Sequence, residues 1–220
     1  EQELTYQDLR IPSSEIYEAM GYKDSIPDQM VIDETNTLLK RITPLLRPRF
    51  AFFFMEGTLD IEKETLSVLQ SIHPPTVNLI QDTIPTRSPE QNTFSTQSKS
   101  TVFSVGKTIA RQLRGSEAFV FFAATAGTEF EVFQHTLQQE GDMVKIYIAD
   151  SLGSIIAEKT ADCMEVALAE YIREKNWKHT NRYSPGYCGW HVSEQQKLFP
   201  LFPIAAPCGT VSYTHLRAHE

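Results

Sequence analysis

The residues best suited to hold a ligand lie in one short run, Arg182-Tyr183-Ser184-Pro185-Gly186-Tyr187-Cys188-Gly189-Trp190. Arg182 brings a planar cation that can grip a carboxylate through two parallel hydrogen bonds. Pro185 and Gly186 form a tight turn: the proline stiffens it, and the glycine lets a ligand or another backbone come close. Tyr183, Tyr187 and Trp190 surround the turn with aromatic rings. Ser193-Glu194-Gln195-Gln196 then reads as a capping box, a serine N-cap with a glutamine three residues on. The loop is therefore expected to end at a helix N-terminus, whose free N–H groups favour a negatively charged group. The plainer reading of the same run is a surface turn whose aromatics fill the edge of the core.

The elements that must carry this loop alternate between helical and extended patterns. Ser13-Ser14-Glu15 caps an apolar run, Ile16, Tyr17 and Met20, that ends at Gly21. Residues 33–41 repeat the helical pattern, with Ile32, Leu38, Leu39 and Ile42 as apolar positions. Residues 50–55 read as a strand followed by a turn at Glu56-Gly57, and the polar stretch 87–100 as a long loop or a loop with an edge strand. Residues 101–113 read as a helix ending at Gly115, and residues 118–124 as a buried strand. Ala126-Gly127 turns the chain into a helix over 129–139, which Gly141 stops.

Residues 142–177 carry the longest helical signal, with Val144, Ile148, Leu152, Ile155, Cys163, Val166 and Ile172 as its apolar positions. Ala149, Gly153, Ala157 and Ala161 recur at every fourth residue as a stripe of small side chains. Such a stripe admits a neighbouring helix or sheet; alternatively, the groove it leaves shapes a ligand site.

Several chemistries lack their residues. No G-x-G-x-x-G opens a helix, so the dinucleotide-binding fingerprint is missing. Gly106-Lys107-Thr108 has the end of a phosphate-binding loop, but Thr101 stands where its first glycine belongs. There is no G-x-S-x-G nucleophile elbow, and no Asp-x-His-x-x-Gly pattern for ligating cobalt. His73, His135 and His179 are isolated, and Asp60/Glu62 and Asp150/Glu158 read as solvated faces or caps.

A net charge of -8 with no Lys/Arg run argues against a nucleic-acid partner. No apolar stretch approaches the roughly 20 residues needed to span a bilayer, so no membrane partner is expected. Cys163, Cys188 and Cys208 are odd in number and widely spaced, which fits a reducing cytoplasm and excludes a four-cysteine metal site in this sequence. Residues 211–220, Val-Ser-Tyr-Thr-His-Leu-Arg-Ala-His-Glu, resemble the translation of a sequencing adaptor. The native reading is thus expected to stop near Thr210, and His215 and His219, although spaced i, i+4, carry no weight as a metal pair.

With Arg182, Pro185, Gly186 and Tyr187 in the order Arg-x-x-Pro-Gly-Tyr, the chain resembles the S-adenosylmethionine-binding activation domain of cobalamin-dependent methionine synthase, in its short stand-alone form. Gly189-Trp190 and the Glu/Gln-rich segment after it extend the likeness, as do residues 118–127 and 150–154 less specifically; it covers most of residues 4–210. The resemblance implies an α+β fold: a single domain, residues 1–210, with a twisted, mainly antiparallel sheet flanked by helices. It implies that Arg182 holds the ligand carboxylate, that Ser184, Pro185 and Gly186 give backbone contacts, and that Tyr187 places its ring and hydroxyl beside the ligand. Trp190 or Tyr183 is a further candidate to face the sulfonium or stack on adenine.

The implied cofactors are S-adenosylmethionine and a cobalamin carried by a partner protein. The implied partners are a cobalamin-binding methionine synthase protein and flavodoxin or a similar electron donor. Together they return inactive cob(II)alamin to its methylated form, a reaction that needs no nucleophile from this chain. Two departures stand against the family pattern. Cys188 and Trp190 occupy positions where full-length synthases carry prolines and small residues, and family members continue past Cys208-Gly209 into a final segment. The alternative from another class is a non-catalytic module that senses S-adenosylmethionine or docks on a corrinoid protein. An independent methyltransferase and a ferredoxin-like activator fit less well, without a glycine-rich nucleotide loop or clustered cysteines.

Overall fold

The computed structural model describes residues 1–23, 25–69, 100–203 and 206–209. In chain order they form β1 (Gln2–Glu3), α1 (Ser13–Ala19), α2 (Gln29–Ile42), β2 (Arg49–Met55), β3 (Gly57–Asp60), β4 (Thr65–Leu69), β5 (Ser100–Ser104), α3 (Gly106–Gln112), β6 (Phe119–Thr125), α4 (Thr128–Glu140), α5 (Met143–Arg173) and α6 (Gln195–Leu198). Helices are mixed with antiparallel strands, the expected α+β class, and the strands are shared between two three-stranded sheets ordered β1-β2-β6 and β3-β4-β5. The described residues divide into two compact units.

The first unit takes residues 1–23, 25–53, 120–181 and 206–209. Its helices start where short polar side chains satisfy the free N–H groups of the first turn. Asp28 Oδ1 accepts Val31 N–H at 3.0 Å to open α2, and Asp142 Oδ1 accepts the N–H groups of Val144 and Lys145 at 3.2 Å each to open α5. Gly141, left-handed at φ 77, ends α4. At α1 the expected serine cap is replaced: Pro12 is the N-cap, without a side-chain bond, and Ser13 is already helical. Leu38, Ile42, Phe130, Leu137, Ile148, Leu152 and Ile156 form the buried core, with α5 against α1, α2 and α4.

The small-residue stripe serves packing. A Cβ on Gly153 would stand 2.5 Å from Cε1 of Phe130, so only glycine lets α4 come this close. Val144 and Val166, expected in the core, are exposed: Val144 lies in the first turn of α5, and near Val166 the buried face has moved round to Ala161, Met164, Leu168 and Ile172.

The second unit takes residues 54–69, 100–119 and 182–203. Its sheet is antiparallel throughout, with Leu66 opposite Phe103 and Val68 opposite Thr101. Asp60 Oδ1 accepts Lys63 N–H at 3.0 Å, capping the β3–β4 turn; this bond and the Lys63 ammonium hold its carboxyl below the ordinary value. The expectation of one helix over 101–113 is corrected here. Residues 100–104 are β5, and α3 begins only at Gly106, whose φ of 77 turns the chain out of the strand. Leu66, Val68, Phe103, Val105, Ile109 and Trp190 are among its buried residues.

Among the described residues no helix is long and apolar enough to cross a membrane. The polar stretch 87–99, His73, and residues 211–220 with His215 and His219 lie outside the described residues.

Candidate functional site

The Arg182–Trp190 loop belongs to the second unit, and its shape follows from three left-handed residues: Gly186 at φ 103, Cys188 at 54 and Gly189 at 84. Backbone bonds close it on itself. Gly186 N–H donates to Trp190 O at 2.6 Å, Trp190 N–H to Tyr187 O at 2.9 Å, and Tyr187 N–H to Ser184 O at 3.1 Å. Ser184, Pro185, Gly186 and Tyr187 are thereby brought into a single turn, with Arg182 half-buried where the loop begins. The N–H groups of Gly186 and Tyr187 are therefore engaged inside the loop.

Among the described residues nothing lies within 4 Å of where a Cβ on Gly186 would stand, and Tyr187 is 71% exposed. Glycine is required at 186 for its backbone angle, not for crowding. Ser184 is also exposed, and Pro185 and Tyr183 are half-buried. Trp190 differs. Its ring is 7% exposed and stands edge-on to Phe103, centroids 6.1 Å apart with planes at 88°. The indole is therefore a core anchor, which corrects its candidacy as an adenine platform; its Nε1 is buried with no hydrogen-bond partner among the described residues.

The expected capping box is also corrected. His191 is the N-cap of a 3-10 turn over Val192–Glu194, with its Nδ1 accepting Ser193 N–H at 3.2 Å, and α6 spans only Gln195–Leu198. Ser193 sits inside the turn, not before it. The first N–H groups of this helical run are engaged locally, Ser193 N–H by His191 Nδ1 and Glu194 N–H by His191 O, so the open anion-favouring start expected after the loop is not formed.

What the sequence reading missed is the seat of the loop, the β5–α3 junction at residues 103–106. Phe103 meets Trp190, and Ser104 N–H donates to Glu194 Oε2 at 3.1 Å. Val105 N–H donates to Glu64 O at 3.0 Å, and a Cβ on Gly106 would stand 2.8 Å from the carbonyl oxygen of Gly189. The adjacent strand-favouring types Thr101, Val102 and Phe103 were the available signal for this strand.

Elsewhere, in the first unit, a shallow groove of about 590 Å³ is lined by Glu131, Gln134, His135, Gln138 and Asp150. It is polar and open, unlike an enclosed ligand pocket. Among the described residues no group of three His, Cys, Asp or Glu side chains is placed to hold a metal ion.

No protein-family model matches the chain. No curated protein matches it either. Among solved structures, it is similar to the MetH reactivation domain bound to AdoHcy, with a TM-score of 0.53 and 14% identity, over 91% of this chain and 69% of that one. At that identity the likeness is one of architecture: the chain has an activation-domain-like fold.

Proposed function

We propose that the chain binds S-adenosylmethionine on the 182–187 loop and serves as the reactivation module of a cobalamin-dependent methionine synthase. The observation that carries the reading is an Arg-x-x-Pro-Gly-Tyr turn, open at its tip, on a fold like that of a reactivation domain bound to AdoHcy. The cobalamin resides on a partner protein, and flavodoxin or a similar donor supplies the electron. The compartment is the cytoplasm, which the three free thiols of Cys163, Cys188 and Cys208 favour.

The loop's residues suit the ligand. Arg182 offers a bidentate fork to the amino-acid carboxylate. Gly186 leaves its face clear for close approach, and the exposed Tyr187 ring can lie beside a sulfonium, an attraction of roughly 0.5–2 kcal/mol. When bound, S-adenosylmethionine supplies a methyl group on a sulfonium to the partner's reduced cobalt. The chain contributes position: it fixes the ligand's ends and presents one face outward, the kind of orientation on which such transfers depend by many powers of ten.

Calorimetric titration of S-adenosylmethionine and AdoHcy tests this, beside Arg182→Ala and Tyr187→Ala. Saturable binding is expected, weaker by at least about tenfold in Arg182→Ala, as for a lost charge-assisted pair. Tyr187→Ala should weaken it by about two- to tenfold, as for a lost cation–π contact, with an unchanged melting temperature because its ring is exposed. No binding by folded wild-type protein would overturn the reading. Binding without any effect on the return of cob(II)alamin to its methylated form, in the presence of the partner and donor, would establish a sensing or docking module instead.

A further inference from the structure

Among the described residues β5 is the edge strand of the second unit's sheet, with β4 on one side only. Val105 N–H points to β4, donating to Glu64 O, so by alternation the backbone groups of Val102 and Ser104 point away from the sheet. Two side chains from the segment after the loop meet those groups where a neighbouring strand would. Glu194 Oε2 accepts Ser104 N–H at 3.1 Å, and Lys197 Nζ donates to Val102 O at 3.1 Å. The two are themselves paired, with Lys197 Nζ at 2.7 and 2.9 Å from the carboxylate oxygens of Glu194. Glu194 is 8% exposed, unusual for a carboxylate.

We propose that Glu194 is a positioning residue for the candidate loop, holding it with Lys197 against the outer edge of β5. Only His191, Val192 and Ser193 separate Glu194 from Trp190, the residue whose N–H and carbonyl close the loop. A carboxylate tied to a rigid strand that close by fixes where the loop ends, and so where Gly186 and Tyr187 stand. Glu194 is the buried half and the Lys197 side chain is 44% exposed, so removing Lys197 leaves a buried carboxylate without its counter-charge, whereas removing Glu194 leaves Ser104 N–H without its acceptor. The inference rests on the 182–187 loop being the ligand site only for its effect on binding; its effect on the loop is read separately.

The experiment compares wild type, Glu194→Ala, Glu194→Gln, Lys197→Ala and Lys197→Arg by amide hydrogen exchange and by AdoHcy titration. Val68→Ala, a core truncation in β4, controls for general loss of stability. Exchange at the N–H groups of Gly186, Tyr187 and Trp190 should quicken by about tenfold or more in Glu194→Ala and Lys197→Ala. Glu194→Gln, which keeps an acceptor for Ser104 N–H, and Lys197→Arg should restore much of the protection. AdoHcy affinity should fall in step with loop protection, while Val68→Ala, matched in melting temperature, keeps both. Unchanged loop exchange in Glu194→Ala overturns the proposal, and so does equal loop loosening in Val68→Ala. If wild type fails to bind AdoHcy while Glu194→Ala still loosens the loop, the functional reading fails and the positioning role stands.

Discussion

Gly106 and Gly189 touch backbone to backbone: a Cβ on Gly106 would stand 2.8 Å from the carbonyl oxygen of Gly189 and 3.0 Å from its carbonyl carbon. Gly106 also holds φ at 77, a region costly to residues with a Cβ. Two separate demands therefore exclude any other residue at 106. Gly186 carries only one of them, its φ of 103, with nothing within 4 Å among the described residues. Gly106→Ala should cost about 2–4 kcal/mol, strain and displacement together, whereas Gly186→Ala should cost about 1–2 kcal/mol from strain alone. Denaturant unfolding of the two variants measures the gap. An equal loss in both would mean that the loop yields freely at Gly189.

The Trp190 indole should behave as core. Trp190→Ala should destabilise the protein by about 3–5 kcal/mol, and Trp190→Phe by much less, because a ring still meets Phe103 and the buried Nε1, without a partner among the described residues, is removed. Thermal melts followed by circular dichroism read both. A stable Trp190→Ala protein with lost ligand affinity would instead return the indole to the binding face.

Cys208 is buried, and that burial pushes its thiol up to about 12 from an ordinary 9.0, its Sγ donating to Ala123 O at 3.7 Å. In the unfolded chain the thiol loses its proton near 9.0, while the folded chain keeps it to about 12. Between those values the folded state binds more protons, so stability falls as pH rises, by at most about 1.4 kcal/mol per pH unit from this group. Cys208→Ala should flatten that part of a pH-stability curve measured by urea unfolding. With an aromatic disulfide reagent at pH 8, exposed Cys188 should react first and Cys208 only on unfolding.

Helices α2, α4 and α5 are legible in the sequence because their signals are local: Gly141 stops α4, and Leu38/Ile42 or Ile148/Leu152 recur on one face, although the first turn of α2 and its Asp28 cap lie before the expected start at residue 33. β5 was hidden by the same rule. Val105, Ile109 and Leu113 recur every fourth residue, and that rhythm runs backward into Thr101–Ser104, whose pairing with β4 is not a local property. The β3–β4 hairpin passed unseen because its turn carries no glycine, proline or asparagine; Glu64 takes φ 58 in their place. For the loop, residue types announced Arg182 through Tyr187 as one turn. That Trp190 faces inward and that Glu194 reaches Ser104 depends on a strand far away in the chain, which no pattern around residue 190 contains.

The second unit joins residues of 54–119 to the later segment 182–203, and its bond between Ser104 and Glu194 links residues 90 apart in sequence. Closing so long a span is slow and entropically expensive. A chain emerging from the ribosome therefore displays the edge of β5 well before residues 182–203 exist to cover it. In that interval the bare edge can recruit a strand from a neighbouring chain. The segment that completes the candidate site thus also ends the period in which this protein is most prone to aggregate.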